Sequence, residues 1–362
     1  MLPLITACSG PELTAEEKAV YRSTNPLGLI LFQRNQNVQN PRQVKKLVDQ
    51  FRDAVGREDA PILIDQEGGP LQMMRTPEWA NLPSATTLGT LYMRDKEKGE
   101  RAIKLQAQAI SGMLRDSGLT NACAPVLDVP VKGASGIIGS RAFCEDPIII
   151  AEIATIISRE FLACGITPTL KHFPGHGRAK ADTHVDFAAV DTDIETLEKT
   201  DFFPFKKVHE NINPAFCWTM TAHVAYTAFD DDPFTISSKA IQEIRPMLNA
   251  WGPMISDAID MESLKKLGRI PQRAKGAIDA GCDAALYCDG KLYVMQEIAD
   301  LLPPMTEETK QRFAIAEQER QKGSQDYDWR EAAAELATYA ESQDEPETFE
   351  QKRVFSMKAF TL

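Results

Sequence analysis

Five side chains that could take part in proton transfer or in binding lie close together near the middle of the chain. They are Lys171, His172, His176, Asp182 and His184. The whole sequence has five histidines, and three of them fall between residues 171 and 184. Because histidine titrates near neutral pH, such a cluster with a lysine and a carboxylate is typical of a reaction site.

Asp182 and His184 are the pair best suited to acid/base catalysis. They are two residues apart, so an extended loop would place both side chains on one side. A carboxylate that accepts from one imidazole nitrogen raises the basicity of the other nitrogen. The alternative is an incidental salt bridge on a surface loop. His176, between two glycines, would shape the loop or bond to its backbone.

Short strand-like runs alternate with helix-like stretches along the chain. Eight runs are rich in strand formers: 2–8, 28–32, 61–65, 122–129, 166–171, 214–220, 253–257 and 284–288. Six stretches between them have apolar residues at helical spacing: 16–22, 41–55, 96–114, 147–164, 194–211 and 238–249. This alternation predicts parallel βαβ units, and eight strands predict an α/β fold of the closed (β/α)8 (TIM) barrel type. We assign the barrel to 1–305 as a single domain. A helical C-terminal extension, 306–362, would pack on it.

Titratable groups recur where these runs end, which is the face where such barrels carry their active sites. They lie at or just beyond the ends of five of the eight runs: Asp65, Asp128, Lys171 with His172, His223, and Asp257. A single acidic residue after a strand is more often a helix cap, but five together favour a site. A retaining glycosidase needs a carboxylate nucleophile and a separate acid/base. Asp257 is our candidate nucleophile, and we interpret the nearby Asp260 as the helix cap.

The bulk composition excludes several classes of partner. A net charge of -12 argues against broad binding to nucleic acid or to an anionic membrane. No run approaches the ~18 apolar residues of a membrane span. Seven cysteines without close spacing favour a reducing compartment. We therefore expect a cytoplasmic protein. We also expect a monomer that acts on a small substrate without a cofactor.

Several of these segments together resemble the bacterial β-N-acetylhexosaminidases of glycoside hydrolase family 3, the NagZ type. The main signature is Lys171-His172-Phe173-Pro174-Gly175-His176-Gly177 with Asp182-Thr183-His184. Other similar segments follow in the family's order: Gly28-Leu29-Ile30-Leu31-Phe32 with Arg34-Asn35, Asp65-Gln66-Glu67-Gly68-Gly69, Ala124-Pro125-Val126-Leu127-Asp128-Val129, Gly139-Ser140-Arg141-Ala142-Phe143, Ala222-His223-Val224 and Ser256-Asp257. The resemblance covers roughly residues 5 to 290.

This resemblance implies a barrel that removes terminal β-linked N-acetylglucosamine by a retaining double displacement. Asp257 would be the nucleophile, and His184 the acid/base, assisted by Asp182. The sugar would be bound by residues at four matching positions: Asp65, Arg141, Lys171 and His172. The implied substrate is a cell-wall fragment, N-acetylglucosamine linked to 1,6-anhydro-N-acetylmuramic acid with or without peptide, handled in cytoplasmic peptidoglycan recycling.

The chain departs from the family pattern at three places. Ala258 stands where the family often has a second aspartate, and Thr183 stands where it often has serine. Pro70 and Met73 occupy two positions where the family has arginine. Arg75 would have to supply the arginine contact to the sugar if this chain retains it.

Three alternative functions remain open. The first is another family 3 β-glycosidase, acting on a glucoside or a xyloside. Those enzymes typically take a glutamate acid/base from a second domain, and we expect this chain to end too early for one. The second is a metal-dependent hydrolase using His172, His176, His184 and Asp257, although Pro174 argues against the helix that a His-x-x-x-His site wants. The third is a degenerate barrel that binds sugar without cleaving it.

Overall fold

The computed structural model describes residues 1–134, 136–180 and 188–340. Asp182 and His184, the predicted acid/base pair, lie outside the described residues, and so does 341–362.

Eight parallel strands close into one barrel, which confirms the predicted (β/α)8 fold. In chain order the barrel strands are β1 (Leu2–Thr6), β2 (Pro26–Leu31), β3 (Ile62–Ile64), β6 (Asn121–Ala122), β7 (Thr167–Phe173), β9 (Trp218–Thr221), β11 (Met254–Ala258) and β12 (Ala284–Tyr287). Around the barrel, β1 lies between β2 and β12, and the ring continues through β11, β9, β7, β6 and β3. Every residue of the barrel strands is buried except Asp257 and Ala258 at the end of β11, because a barrel strand has side chains packed on both faces.

Two small sheets stand beside the barrel. One is an antiparallel hairpin directly after β3, formed by β4 (Gln66–Gly68) and β5 (Leu71–Gln72). The other is a parallel pair, β8 (Ala188–Val190) with β10 (Val224–Tyr226).

Twelve α-helices occur within the described ranges. They are α1 (Ala15–Thr24), α2 (Pro41–Val55), α3 (Ala85–Arg94), α4 (Lys96–Asp116), α5 (Pro147–Ala163), α6 (Ile194–Lys199), α7 (Phe203–Asn211), α8 (Ser238–Met247), α9 (Ile270–Ala280), α10 (Leu292–Leu301), α11 (Glu307–Lys322) and α12 (Trp329–Ala340). Local sequence fixes the start of α1. The Thr14 hydroxyl accepts from Glu17 N, while the Glu17 carboxylate accepts from Thr14 N, so both terminal donors of α1 are satisfied.

Two predicted elements differ from the structure because of prolines. The predicted helix over 194–211 is two helices, since Pro204 has no N–H to continue α6 and instead lies in the first turn of α7. The predicted strand over 122–129 is shorter. Beyond Ala122 the chain contains Pro125, which cannot donate to the ladder, and pairing resumes only as a bridge from Val126 to Lys171.

The C-terminal helices pack against the outside of the barrel. In α12, Trp329 Nε1 donates to Asp116 Oδ2 of α4 at 2.9 Å. In α11, Phe313 lies edge-on to Trp218 of β9, with 4.9 Å between ring centres. The boundary between 305 and 306 stays a prediction.

No helix in the described ranges is both long enough and apolar enough to span a bilayer. All seven cysteines lie in the described part of the chain, and each is a free thiol.

Candidate active site

Four of the predicted site residues come from three strands that end at one mouth of the barrel, and the fifth, Arg141, lies in the short 3-10 helix Gly139–Arg141. Asp65 follows β3, Lys171 and His172 lie in β7, and Asp257 lies in β11. Because the barrel strands are parallel, their carboxyl ends share this mouth.

Lys171 is buried beneath the mouth and binds two carboxylates. Only 2% of Lys171 is exposed. Its Nζ lies 2.6 Å from Asp65 Oδ1 and 2.7 Å from Glu67 Oε1. Glu67 also accepts two parallel hydrogen bonds from Arg141, from Nε and Nη2, each 2.9 Å long. Glu67 is therefore the residue that joins the two cations, and a bidentate contact fixes the plane of the guanidinium.

His172 adjoins this network and is oriented by Asp128. The imidazole Nδ1 lies 2.7 Å from Asp128 Oδ2, so it donates to that carboxylate. The other nitrogen, Nε2, lies 3.4 Å from Arg141 Nη2. Asp128 Oδ1 also accepts from the backbone N–H groups of His172 and His176, at 3.2 and 2.6 Å. We call Asp65, Glu67, Arg141, Lys171 and His172 the binding floor.

Glu67 and Lys171 hold each other in the ionised form. Burial raises the pKa of Glu67, but Arg141 and Lys171 outweigh it and lower that pKa to about 2. Burial lowers the pKa of Lys171, but Asp65 and Glu67 outweigh it, so the net shift is upward. The floor thus presents fixed N–H donors from a lysine and an arginine, which suits recognition of hydroxyl oxygens.

Asp257 is half-buried near the end of β11. Its Oδ1 accepts from the backbone N–H of Ala258 at 2.7 Å. β11 is parallel to β7 in the closed barrel, so Asp257 lies at the same mouth as the binding floor. Burial raises the pKa of the Cys123 thiol, just after β6, and the negative charges of Asp65 and Asp257 raise it further.

Two glycines, Gly175 and Gly177, let the loop after β7 pass close to its neighbours, and a Cβ on Gly175 would lie 3.0 Å from Asp201 Cβ. A Cβ on Gly177 would lie 1.8 Å from the carbonyl oxygen of Val129, so no other residue fits there. Arg178 anchors the same loop through Asp201, whose Oδ2 lies 2.5 Å from Arg178 Nε. The described part of this loop ends at residue 180, before Asp182 and His184.

Arg75 does not replace the family's arginines. Its side chain is exposed and bonds to its own hairpin, with Nε donating to the carbonyl of Gln72 at 2.7 Å and Nη2 to that of Pro70 at 2.8 Å. Met73 is buried beside it. The floor is therefore built without that additional arginine contact.

Sequence analysis missed the roles of Glu67 and Asp128. Glu67 is two residues after Asp65. In an extended segment this spacing places both side chains on the same side, and it was the signal that could have identified Glu67. Asp128 was noted at a strand end, but nothing local indicated that it binds a histidine 44 positions later.

The interpretation of Asp260 as a helix cap was wrong. Its Oδ1 accepts from Cys288 N, which joins the loop after β11 to the end of β12. The short 3-10 helix that follows, Glu262–Leu267, begins after Met261 instead.

The described ranges contain no group of three or more His, Cys, Asp or Glu side chains placed to hold a metal ion. His172, one of the ligands considered for a metal site, already directs its two ring nitrogens at Asp128 and Arg141. The metal hypothesis also used His184, which is outside these ranges.

Comparison with known proteins agrees with this geometry. The structure is similar to that of NagZ from Neisseria gonorrhoeae in complex with N-trifluoroacetyl-D-glucosamine, with a TM-score of 0.81 and 26% identity over 93% of this chain and 98% of that chain. A family 3 β-N-acetylglucosaminidase from Paenibacillus sp. str. FPU-7 shares the fold, with a TM-score of 0.80 and 24% identity over 93% of this chain and 67% of the other.

Sequence comparison gives the same assignment. A β-hexosaminidase of Stenotrophomonas maltophilia (strain R551-3) is 35% identical over 290 residues, which cover 80% of this chain and 84% of the relative. A β-hexosaminidase of Nitrosomonas eutropha is 33% identical over 79% of this chain and 80% of its own length. Residues 7–319 match the model of the glycosyl hydrolase family 3 N terminal domain. The chain therefore belongs to glycosyl hydrolase family 3, and it is a glycoside hydrolase.

Proposed function

We propose that this enzyme is a retaining β-N-acetylhexosaminidase that hydrolyses terminal β-linked N-acetylglucosamine. The observation that carries the proposal is the joint placement of Lys171, Arg141 and Asp257 at one barrel mouth. Two fixed cationic donors can orient a sugar ring above a carboxylate that approaches from another strand. The names of the relatives and of the similar structures support the choice of an N-acetylhexosaminide.

In the first proposed step, Asp257 attacks the anomeric carbon while the bond to the leaving oxygen breaks. Asp65, Arg141, Lys171 and His172 bind the sugar during this step. His184, assisted by Asp182, gives a proton to the leaving oxygen. The products are a glycosyl ester on Asp257 and the departing alcohol.

In the second proposed step, water hydrolyses the glycosyl ester. The neutral His184 accepts a proton from that water as the water attacks the anomeric carbon, and Asp257 leaves as a carboxylate. Two inversions retain the β configuration. Every proton and electron pair moves between the sugar, water and these side chains, so the proposed mechanism involves no metal or cofactor.

The proposed physiological substrate is N-acetylglucosamine linked to 1,6-anhydro-N-acetylmuramic acid, with or without peptide. This proposal rests on the likeness to NagZ and on the segments that resemble that type. It places the enzyme in the cytoplasm, as a monomer that takes part in peptidoglycan recycling.

The direct test is release of nitrophenol from 4-nitrophenyl β-N-acetylglucosaminide, with the β-glucoside and the β-xyloside in parallel. We expect turnover of the first substrate, unchanged by EDTA, and far less of the others. Preference for the glucoside or the xyloside would assign another family 3 activity. Binding of N-acetylglucosamine without any turnover would indicate a degenerate barrel, and loss of activity with EDTA would restore the metal hypothesis.

His184→Ala tests the proposed acid/base. Loss of a general acid typically costs ~10²–10⁴ in rate. The loss should be largest for an alkyl leaving group and smallest for dinitrophenol, which departs without a proton. Lys180→Ala is the matched control, since Lys180 is an exposed residue of the same loop. An equal loss for all leaving groups, or a loss under about tenfold, would contradict the assignment.

A further inference from the structure

The backbone around Asp257 contains one extra residue relative to its neighbour strand. Ile255 of β11 pairs with Ala284 of β12, and Ala258 pairs with Leu286. Three residue steps along β11 therefore lie opposite two steps along β12. One extra residue on one strand defines a β-bulge. A bulge changes where a side chain points, and Asp257 lies inside this one.

Ser256 joins β11 to β12 through its side chain at the bulge. The Leu286 N–H donates to Ser256 Oγ at 2.9 Å. The Leu286 carbonyl accepts from Ile259 N, also at 2.9 Å. Ser256 is fully buried, so without its hydroxyl the Leu286 N–H would lose this partner away from solvent.

His223 fixes the backbone on the other side of Asp257. Its Nε2 lies 2.9 Å from the carbonyl oxygen of Ala258, and a carbonyl only accepts, so Nε2 is the donor. Its Nδ1 lies 2.8 Å from Thr235 Oγ1, which orients the ring. The side chain is 1% exposed and lies between β9 and β10.

Both contacts act on the segment that holds the carboxylate of Asp257. The backbone N–H of Ala258 donates to Asp257 Oδ1, so any rotation of the Ala258 backbone turns that donor. Ser256 anchors this segment to β12 before Asp257, and His223 anchors it after Asp257.

We propose that Ser256 and His223 are positioning residues that hold the Asp257 carboxylate in line with the anomeric carbon. This inference rests on the proposed function, in which Asp257 is the nucleophile. Attack needs the reacting atoms about 3–3.5 Å apart and aligned, and a displacement of about 1 Å can cost 10²-fold. Neither residue belongs to the binding floor, so their loss should lower turnover while leaving sugar affinity intact.

The experiment compares Ser256→Ala and His223→Leu with the wild type on 4-nitrophenyl β-N-acetylglucosaminide. We expect kcat to fall by about 10- to 100-fold in each variant. The Kd for free N-acetylglucosamine, measured by calorimetry, should stay within about threefold.

Two further variants separate positioning from general packing. His223→Gln keeps an amide N–H donor near the position of Nε2, and it should recover most of the lost kcat. Ser263→Ala is the matched control for Ser256→Ala. Ser263 is also buried, it follows the same strand, and its hydroxyl has no hydrogen-bond partner among the described residues. It should leave kcat unchanged.

The outcomes separate this inference from the proposed function. An active wild type with unchanged kcat in folded Ser256→Ala and His223→Leu would overturn the positioning role alone. An equal loss of kcat and of N-acetylglucosamine affinity would overturn it too, because the floor would then be disturbed. A wild type that binds the sugar but cleaves no substrate would overturn both. If His223→Leu does not fold, Ser256→Ala and His223→Gln decide the question.

Discussion

The binding floor and the end of β11 show two ways of fixing functional groups at one barrel mouth. The floor is held by buried opposite charges, with Glu67 between Arg141 and Lys171. The backbone that carries Asp257 is fixed by hydrogen bonds of Ser256 and His223, and Asp257 accepts from the N–H of Ala258.

The difference has a chemical reason. A group that orients a sugar can keep its charge partner throughout the reaction, because only its N–H donors are used. A nucleophile must release electron density to carbon, so tight pairing with a buried cation would lower its reactivity. We therefore expect mutations in the floor to affect stability and binding, and mutations around Asp257 to affect rate.

Asp257→Ala should have the largest effect and should affect rate alone. Removing the nucleophile should lower kcat/KM by about 10⁴-fold or more, since no other group would form the covalent bond. The Kd for N-acetylglucosamine and the unfolding midpoint should stay near the wild-type values. Steady-state kinetics and calorimetry check this prediction, and activity retained in Asp257→Ala would refute the assignment of the nucleophile.

Glu67→Gln should affect stability most strongly. It leaves two buried cations with only one carboxylate, Asp65, and removing one member of a buried ion pair typically costs about 3–5 kcal/mol in free energy of unfolding. Urea denaturation measures this. The control is Glu195→Gln, which breaks an exposed pair with Lys199 and should change little. Equal midpoints for the wild type and Glu67→Gln would show that the floor does not depend on its charges.

Acid should weaken the floor through the same residue. The pKa of Glu67 is about 2 in the folded protein against an ordinary value of 4.5, so the unfolded chain takes up its proton first as pH falls. The stability from this group is complete above pH 4.5 and is lost as pH falls towards 2. Urea midpoints measured over this range should fall more steeply for the wild type than for Glu67→Gln, and parallel curves would contradict the depressed pKa.

Arg75→Ala should have the smallest effect. The guanidinium is exposed and bonds to carbonyls of its own hairpin, outside the floor. We expect KM for the aryl N-acetylglucosaminide to change by less than about twofold, and the free energy of unfolding by less than about 0.5 kcal/mol. Arg141→Ala, its counterpart within the floor, should raise KM markedly. A large effect of Arg75→Ala would mean that the hairpin rearranges around substrate.

Some of the site could be predicted because its signals are local. Asp65, Lys171 and Asp257 each follow or end a strand-like run, and the barrel rule then places all three at one mouth. The bulge at Asp257 could not be predicted in this way. It depends on how β11 and β12 align, and these strands pair through residues about 30 positions apart.

The sequence by itself determined the barrel, the family resemblance and the strand-end residues, because alternation, proline positions and motif order act over short stretches of chain. The tertiary structure alone decided that Glu67 joins Arg141 to Lys171 and that Asp128 orients His172. The tertiary structure also decided that the Arg75 side chain lies outside the binding floor. Each of these features depends on contacts between distant segments of the chain. The strength of a charge pair depends on the distance between the charges, and the packed barrel sets that distance.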